Sequence, residues 1–327
     1  MSHALRQSLR QPFGAGSAAW PGLDAGPALA QEGLLEPLVF GAYFDLMASP
    51  EGAEAGSPAA QAWLGSRFSG LGSAAVPHEA LADSAAPRIS TLTLLHYSEQ
   101  EMACWRRWLD TEPDNAMVLM GLDEASLQVE AEKILKALQF LARCAPELCA
   151  ELTVLTRDIL VARPGGGQLL DFRGASSFAL WGAIAVNQQA HPHWWCYVST
   201  LVHETAHSLL FARAREEPLV LNDPDARYLS PLRADARPMD GIFHAAFVSA
   251  REACALDQCL AFLGEQTDPE STSLAAIFEA ELAGSVCAFW DCCDQISKYG
   301  QLSALGQRIL DEARDFVSEH FTVLSQA

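Results

Sequence analysis

The sequence predicts an α+β fold, mostly helical, with a small sheet packed beside one central helix. Four stretches carry that expectation. Residues 197–215, YVSTLVHETAHSLLFARAR, place Val198, Val202, Ala206, Leu209 and Leu210 on one continuous arc at helical spacing, as a core-facing helix requires. Residues 152–162, LTVLTRDILVA, and 176–187, SSFALWGAIAVN, are short, apolar and contain β-branched residues, the pattern of strands. Residues 241–263 read as a second long helix, with Phe247, Val248, Cys254, Leu256 and Leu260 as its apolar positions.

The remaining elements follow from local chemistry. Residues 1–30 are rich in Gly, Ala, Pro and Ser and are expected to be irregular, and residues 49–88 share that composition. Between them, residues 34–47 can form a short helix. Residues 1–88 are therefore set apart as a poorly defined N-terminal segment, and residues 89–327 as the domain built round the central helix. Within it, residues 91–97, TLTLLHY, read as a short strand or buried segment, and 99–110 as an amphipathic helix. Asp123 can cap a helix that runs to about Cys144, carrying Leu127, Ile134, Leu135, Leu138 and Leu141, and ends before Pro146. Pro164, Gly165, Gly166 and Gly167 make a turn, after which residues 168–172 can pair back. Residues 216–240, rich in Pro, Asp and Arg, form a long loop, and long loops in compact domains are usually either functional or disordered. Two more amphipathic helices, 271–297 and 301–324, complete the chain.

Composition excludes some function classes. With 21 Lys and Arg against 41 Asp and Glu, the formal charge of −20 repels polyphosphate, so nucleic acid is not an expected partner. Nine cysteines are scattered with no CxxC pair, as in a reduced protein whose thiols are mostly small buried side chains. No apolar run approaches membrane-spanning length, the most apolar being the strand-sized 176–186, and the N-terminus lacks the apolar stretch of a secretory signal. A cytoplasmic location without a membrane partner is expected; oligomeric state has no signature.

The chemistry lies in the central helix. His203-Glu204-Thr205-Ala206-His207 is an HExxH motif, whose imidazoles stand about 40° apart round the axis and one turn apart along it, so that both can reach one metal ion. The expected architecture is thus zincin-like. His244, near the start of the second helix, is the candidate third ligand, and Glu252, two turns further, is its rival. If the metal is zinc, Glu204 is the expected general base of a metallopeptidase. The common zincin spacings are absent, however: no HxxGxxH follows the motif, and Glu252 lies 45 residues beyond His207. Arg227, Arg233 and Arg237 fall within eleven residues ahead of His244, either in salt bridges to Asp223, Asp225 and Asp235 or as a carboxylate-binding site. Trp181, Trp194 and Trp195 either bracket a cleft or belong to the core.

Together, HETAH, YLSPLRADARP and MDGIFHAAFVSAR resemble the HExxH-type peptide β-hydroxylases that accompany ribosomally synthesised peptide natural products. The matching positions are Ser230, Pro231, Arg233, Asp235, Arg237, Pro238, Gly241 and His244, with Ala236 where proline is common. The specific part of the likeness is confined to residues 201–251. It implies a non-haem Fe(II), 2-oxoglutarate-dependent oxygenase that hydroxylates the β-carbon of a residue in a precursor peptide. His203, His207 and His244 would be the iron ligands, and Arg233 or Arg237, with Ser230, would hold the distal carboxylate of 2-oxoglutarate. Glu204 would then orient a ligand, bind an iron-held water or be a ligand itself.

Overall fold

The computed structural model describes residues 37–47, 87–109, 118–165, 172–214 and 217–321. Its helices are α1 (Pro37–Met47), α2 (Glu99–Leu109), α3 (Glu124–Cys144), α4 (Pro146–Leu155), α5 (Cys196–Arg213), α6 (Met239–Gly264), α7 (Pro269–Tyr299) and α8 (Ala304–His320). Strands are β1 (Arg88–Ser90), β2 (Leu119–Met120), β3 (Asp158–Pro164), β4 (Gly174–Ser176) and β5 (Ala183–Asn187). The described residues are mostly helical with one small mixed sheet, an α+β fold. They belong to two compact units, one drawn from Met1–Ile134 and Thr153–His193, the other from Leu135–Leu152 and Trp194–Ala327. The boundary expected at residue 88 falls beside residues outside the described set, as do most of residues 1–88.

The first unit holds the sheet, in the order β1-β3-β5-β4, with β2 pairing antiparallel to β3. β1 and β5 flank β3 in parallel, and β4 runs antiparallel to β5. In β3, Ile159, Leu160, Val161 and Ala162 are all fully buried, the continuous apolar run of a strand covered on both faces. Its first residue, Asp158, is a buried carboxylate held by Arg88, its cross-strand partner, through Nε at 2.6 Å and a second guanidinium nitrogen at 2.9 Å. Trp105, Leu109, Tyr97, Leu119 and Leu180 pack together with residues of β3 and β5 in this unit's core.

Three expectations need correction here. Residues 152–162 are not one strand: Pro146 occupies the first turn of α4, where its missing N–H costs nothing, and that helix continues to Leu155. The strand starts only at Asp158, whose N–H, like that of Arg157, donates to the Gly182 carbonyl. Residues 176–187 are likewise broken, into β4, a single 3-10 turn and β5, because Gly182 turns the chain at φ 94°, a conformation open to glycine. Residues 91–97 form a turn with Leu94 and Leu95 exposed, and the pairing strand precedes them as β1. Residues 168–171 lie outside the described residues. By contrast, Asp123 caps α3 as expected, its Oδ1 accepting from Ser126 N at 2.8 Å.

Helices α5 to α8 form most of the second unit. Ala246, Ala250 and Ala253 are buried on α6 among Leu210 of α5 and Val286, Phe289, Cys292 and Cys293 of α7, small side chains that let the helices approach closely. α7, at 31 residues, is long and apolar enough by composition to cross a membrane, a length the sequence reading did not credit to any run; its buried residues Phe278, Val286, Phe289 and Ile296 lie on a face turned to the protein core. All nine cysteines are free; Cys104, Cys259, Cys292 and Cys293 are buried, fewer than expected, and Cys287 is exposed.

The loop after α5 is tied at two points. Val220 bridges Leu302, with Leu221 N donating to Gln301 O (2.7 Å) and Ser303 N to Leu219 O (3.0 Å). Tyr228 bridges Arg237, the two residues exchanging N–H···O bonds of 2.8 Å. At the first tie, Gly306 in the first turn of α8 is so close that an added Cβ would lie 2.2 Å from the Leu219 carbonyl oxygen. Gly306→Ala is therefore expected to destabilise by about 1–3 kcal/mol, although alanine favours helix by about 1 kcal/mol. Urea denaturation checks this, and an unchanged or higher midpoint would contradict the close approach.

Candidate metal centre

The site is assembled by two helices of the second unit. α5 carries His203, His207 and Phe211 at successive turns of one face, while Val198, Val202, Ala206 and Leu210 are buried as the amphipathic pattern required. α6 begins after Pro238, whose extended backbone releases the loop, and brings His244 in its second turn. His207 meets His244 and His203 meets Glu252, so the two helices cross antiparallel at the site.

His207 Nδ1 and His244 Nδ1 are 3.0 Å apart, with the rings stacked at a centroid distance of 5.2 Å and an interplanar angle of 21°. The His203 ring stands edge-on to His207 at 5.0 Å. Phe211 closes the apolar side, 6.4 Å from the His207 ring and 5.4 Å from that of His244. Burial pushes the His207 pKa well below its ordinary value, and the neighbouring His203 and His244 lower it further. Burial lowers that of His244 as well, against a smaller opposing effect of Asp240, whose Oδ2 is 3.8 Å from Nε2. Both rings are thus neutral near pH 7, the form that ligates metals.

Does this donor set suit a metal? Two nitrogens bound at about 2.1 Å and at right angles lie about 3.0 Å apart, the cis separation in an octahedral site. The His207–His244 pair has that spacing, and His203 is the adjacent third imidazole. Among the described residues, however, no group of three or more His, Cys, Asp and Glu side chains is arranged to hold a metal ion. The residues present fit an imidazole-ligated ion in kind and in the spacing of one pair, with His203 still to be brought in.

The other sequence candidates fall in different places. Glu252, the rival ligand, contacts His203 Nδ1 through Oε1 at 3.0 Å. Glu204 is buried, at 4% exposure. Arg233 and Arg237 converge on Asp235: Arg233 Nε is 3.5 Å from Oδ1, and Arg237 Nε is 2.7 Å from Oδ2, in ion-pair contact but off the line of a hydrogen bond. Arg237 is the more enclosed, with 21% of its side chain exposed against 49% for Arg233. Arg227 donates to the carbonyls of Pro224 and Ala226, and Ser230 Oγ accepts from Leu232 N at 3.3 Å, so these two shape the loop. Trp181 is buried in the first unit, stacked on Phe178, which makes it a core residue. Trp194 packs edge-on to Phe140 at 5.3 Å under Lys136, with Trp195 against it.

No protein-family model and no curated protein matches the chain. Its functional reading therefore rests on its own residues. Sequence reasoning overlooked Phe211, Asp240 and Ser285. Phe211 was within reach of it, four residues after His207 on a helix already drawn; nothing local marks Ser285, which approaches the site through the packing of α7.

Proposed function

We propose that the protein is a cytoplasmic Fe(II)- and 2-oxoglutarate-dependent oxygenase of zincin-like architecture that hydroxylates the β-carbon of a residue in a ribosomally synthesised precursor peptide. The observation that carries the proposal is the His207–His244 contact. It joins the HExxH helix to the histidine that the likeness to peptide β-hydroxylases names as third ligand, at the spacing of cis ligands in an octahedral ion. His203, His207 and His244 would hold the iron, which when bound supplies activation of O2 coupled to decarboxylation of the keto acid. The chain's own part is to present neutral imidazoles, to keep water from the apolar side with Phe211, and to offer a guanidinium to the distal carboxylate. Arg237, enclosed and held by Asp235, suits that last role better than exposed Arg233, while Ser230 stiffens the loop between α5 and α6. Glu204, buried beside the motif histidines, orients the site in this reading. A zinc metallopeptidase is the competing reading, favoured by the HExxH motif itself, with Glu204 as general base.

The test is an anaerobic visible spectrum of Fe(II)-loaded protein before and after 2-oxoglutarate. A new metal-to-keto-acid charge-transfer band, absent in His207→Ala and needing roughly 10- to 100-fold more co-substrate in Arg237→Ala, is the expected result, since a charge-assisted pair contributes a few kcal/mol. Tight zinc binding without a band, together with peptide cleavage abolished by Glu204→Gln, would replace the oxygenase with the peptidase.

A further inference from the structure

We infer that Glu252 is a positioning residue for His203, anchored in turn by Ser285. The inference rests on the metal-site reading above and concerns a residue whose sequence position made it a rival ligand. Glu252 Oε1 is 3.0 Å from His203 Nδ1, and Glu252 Oε2 accepts a hydrogen bond from Ser285 Oγ at 3.1 Å. An ionised carboxylate only accepts, so the proton of this contact sits on His203 Nδ1. That fixes the tautomer whose lone pair is on Nε2, the nitrogen that would ligate a metal, and raises its basicity, as carboxylates behind ligating histidines do. Both carboxylate oxygens are engaged with protein donors, which suits an orienting group rather than a ligand. The three residues come from three helices, His203 from α5, Glu252 from α6 and Ser285 from α7, and Ser285 is buried. α7, which contributes nothing to the metal contacts, thereby sets the orientation of a ring two helices away.

Co(II) alone is the probe, its dissociation constant measured by chelator competition for the full chain, Glu252→Gln and Ser285→Ala. Glu252→Gln keeps the side-chain shape but removes the charge, and is expected to weaken Co(II) binding 10- to 100-fold; Ser285→Ala, which unanchors the carboxylate without deleting it, is expected to weaken it a few-fold. The visible band positions of bound Co(II) should stay the same in both variants, because the ligand set is unchanged. The paramagnetically shifted Nδ1–H proton resonance of His203 should exchange faster with water in both, a change that mere loosening of the fold would not confine to one imidazole. Unaltered affinity in both variants overturns the inference, and so does a changed Co(II) spectrum in Glu252→Gln, which would make Glu252 a ligand. If Glu252→Gln does not fold, Ser285→Ala decides by the same criteria. A full chain that binds no Co(II) removes the metal site and this inference together, whereas Co(II) binding without any 2-oxoglutarate band removes only the oxygenase.

Discussion

His244→Ala is expected to weaken Fe(II) or Co(II) binding by more than about 100-fold, a larger loss than any expected from the groups behind the ligands. The reason is geometric: His207 Nδ1 meets His244 Nδ1 at 3.0 Å. Removing that ring takes from His207 the imidazole that α6 sets against it, while Glu252 of the same helix still contacts His203. Far-UV circular dichroism would show whether α6 persists, and Phe211→Leu serves as a control, since it alters packing against both rings without touching a donor. Retained affinity in His244→Ala would show that the third ligand lies elsewhere.

The second large effect is a loss of stability on mild acidification of the metal-free protein. In the first unit, His191 is fully buried, with Nδ1 donating to the Asn187 carbonyl at 2.6 Å and its own carbonyl accepting from Lys133 Nζ at 3.2 Å. Burial brings its pKa down to about 4, the Arg173 and Lys133 charges adding to that and the Asn187 bond and Glu130 opposing it. Unfolded, the same ring titrates near 6.5. Between pH 6.5 and 4 the unfolded chain therefore binds a proton that the folded chain refuses, so stability falls as pH falls through this window. At about 1.4 kcal/mol per unit, His191 alone accounts for a loss of about 3 kcal/mol by pH 4. His207 and His244, whose pKa values are also lowered by burial, add to the loss in the same direction. Urea midpoints at pH 7.5 and 5 check this: His191→Asn, which retains a donor toward Asn187, should flatten part of the dependence, and an equal slope in the variant would contradict the assignment to His191.

How much of this could be read from the sequence differs by element. The long helices were legible because their apolar positions recur over many turns: α3 begins after Asp123 as its capping chemistry required, and α5 buries the arc from Val198 to Leu210. Residues 152–162 misled because a short apolar run looks alike as strand or helix, and the decision is made by partners far away, the Gly182 carbonyl among them. At the site, the HExxH spacing fixes which two rings can meet, and the following Gly-x-x-His pointed to His244. Glu252 and His244 lie on nearly one face of α6, so spacing could not tell ligand from orienter; only the antiparallel crossing, which sets 252 opposite 203, separates them. The arginines were ambiguous for a similar reason, because a guanidinium fork suits Asp235 as well as it suits a ligand carboxylate.

The two ties in the loop between α5 and α6 also bear on how this region can change. The linker runs over 25 residues, 214–238, and within it the bridge of Tyr228 to Arg237 closes off the eight residues 229–236 as a small excursion. Closing an excursion of that length costs about 1 kcal/mol less chain entropy than closing the whole linker. Residues inserted or exchanged between Leu229 and Ala236 would burden only that small circuit, while the register of His207 against His244 is held outside it. Sequence can thus drift in the excursion that bears Arg233 and Asp235, with the helices that carry His207 and His244 left as they are.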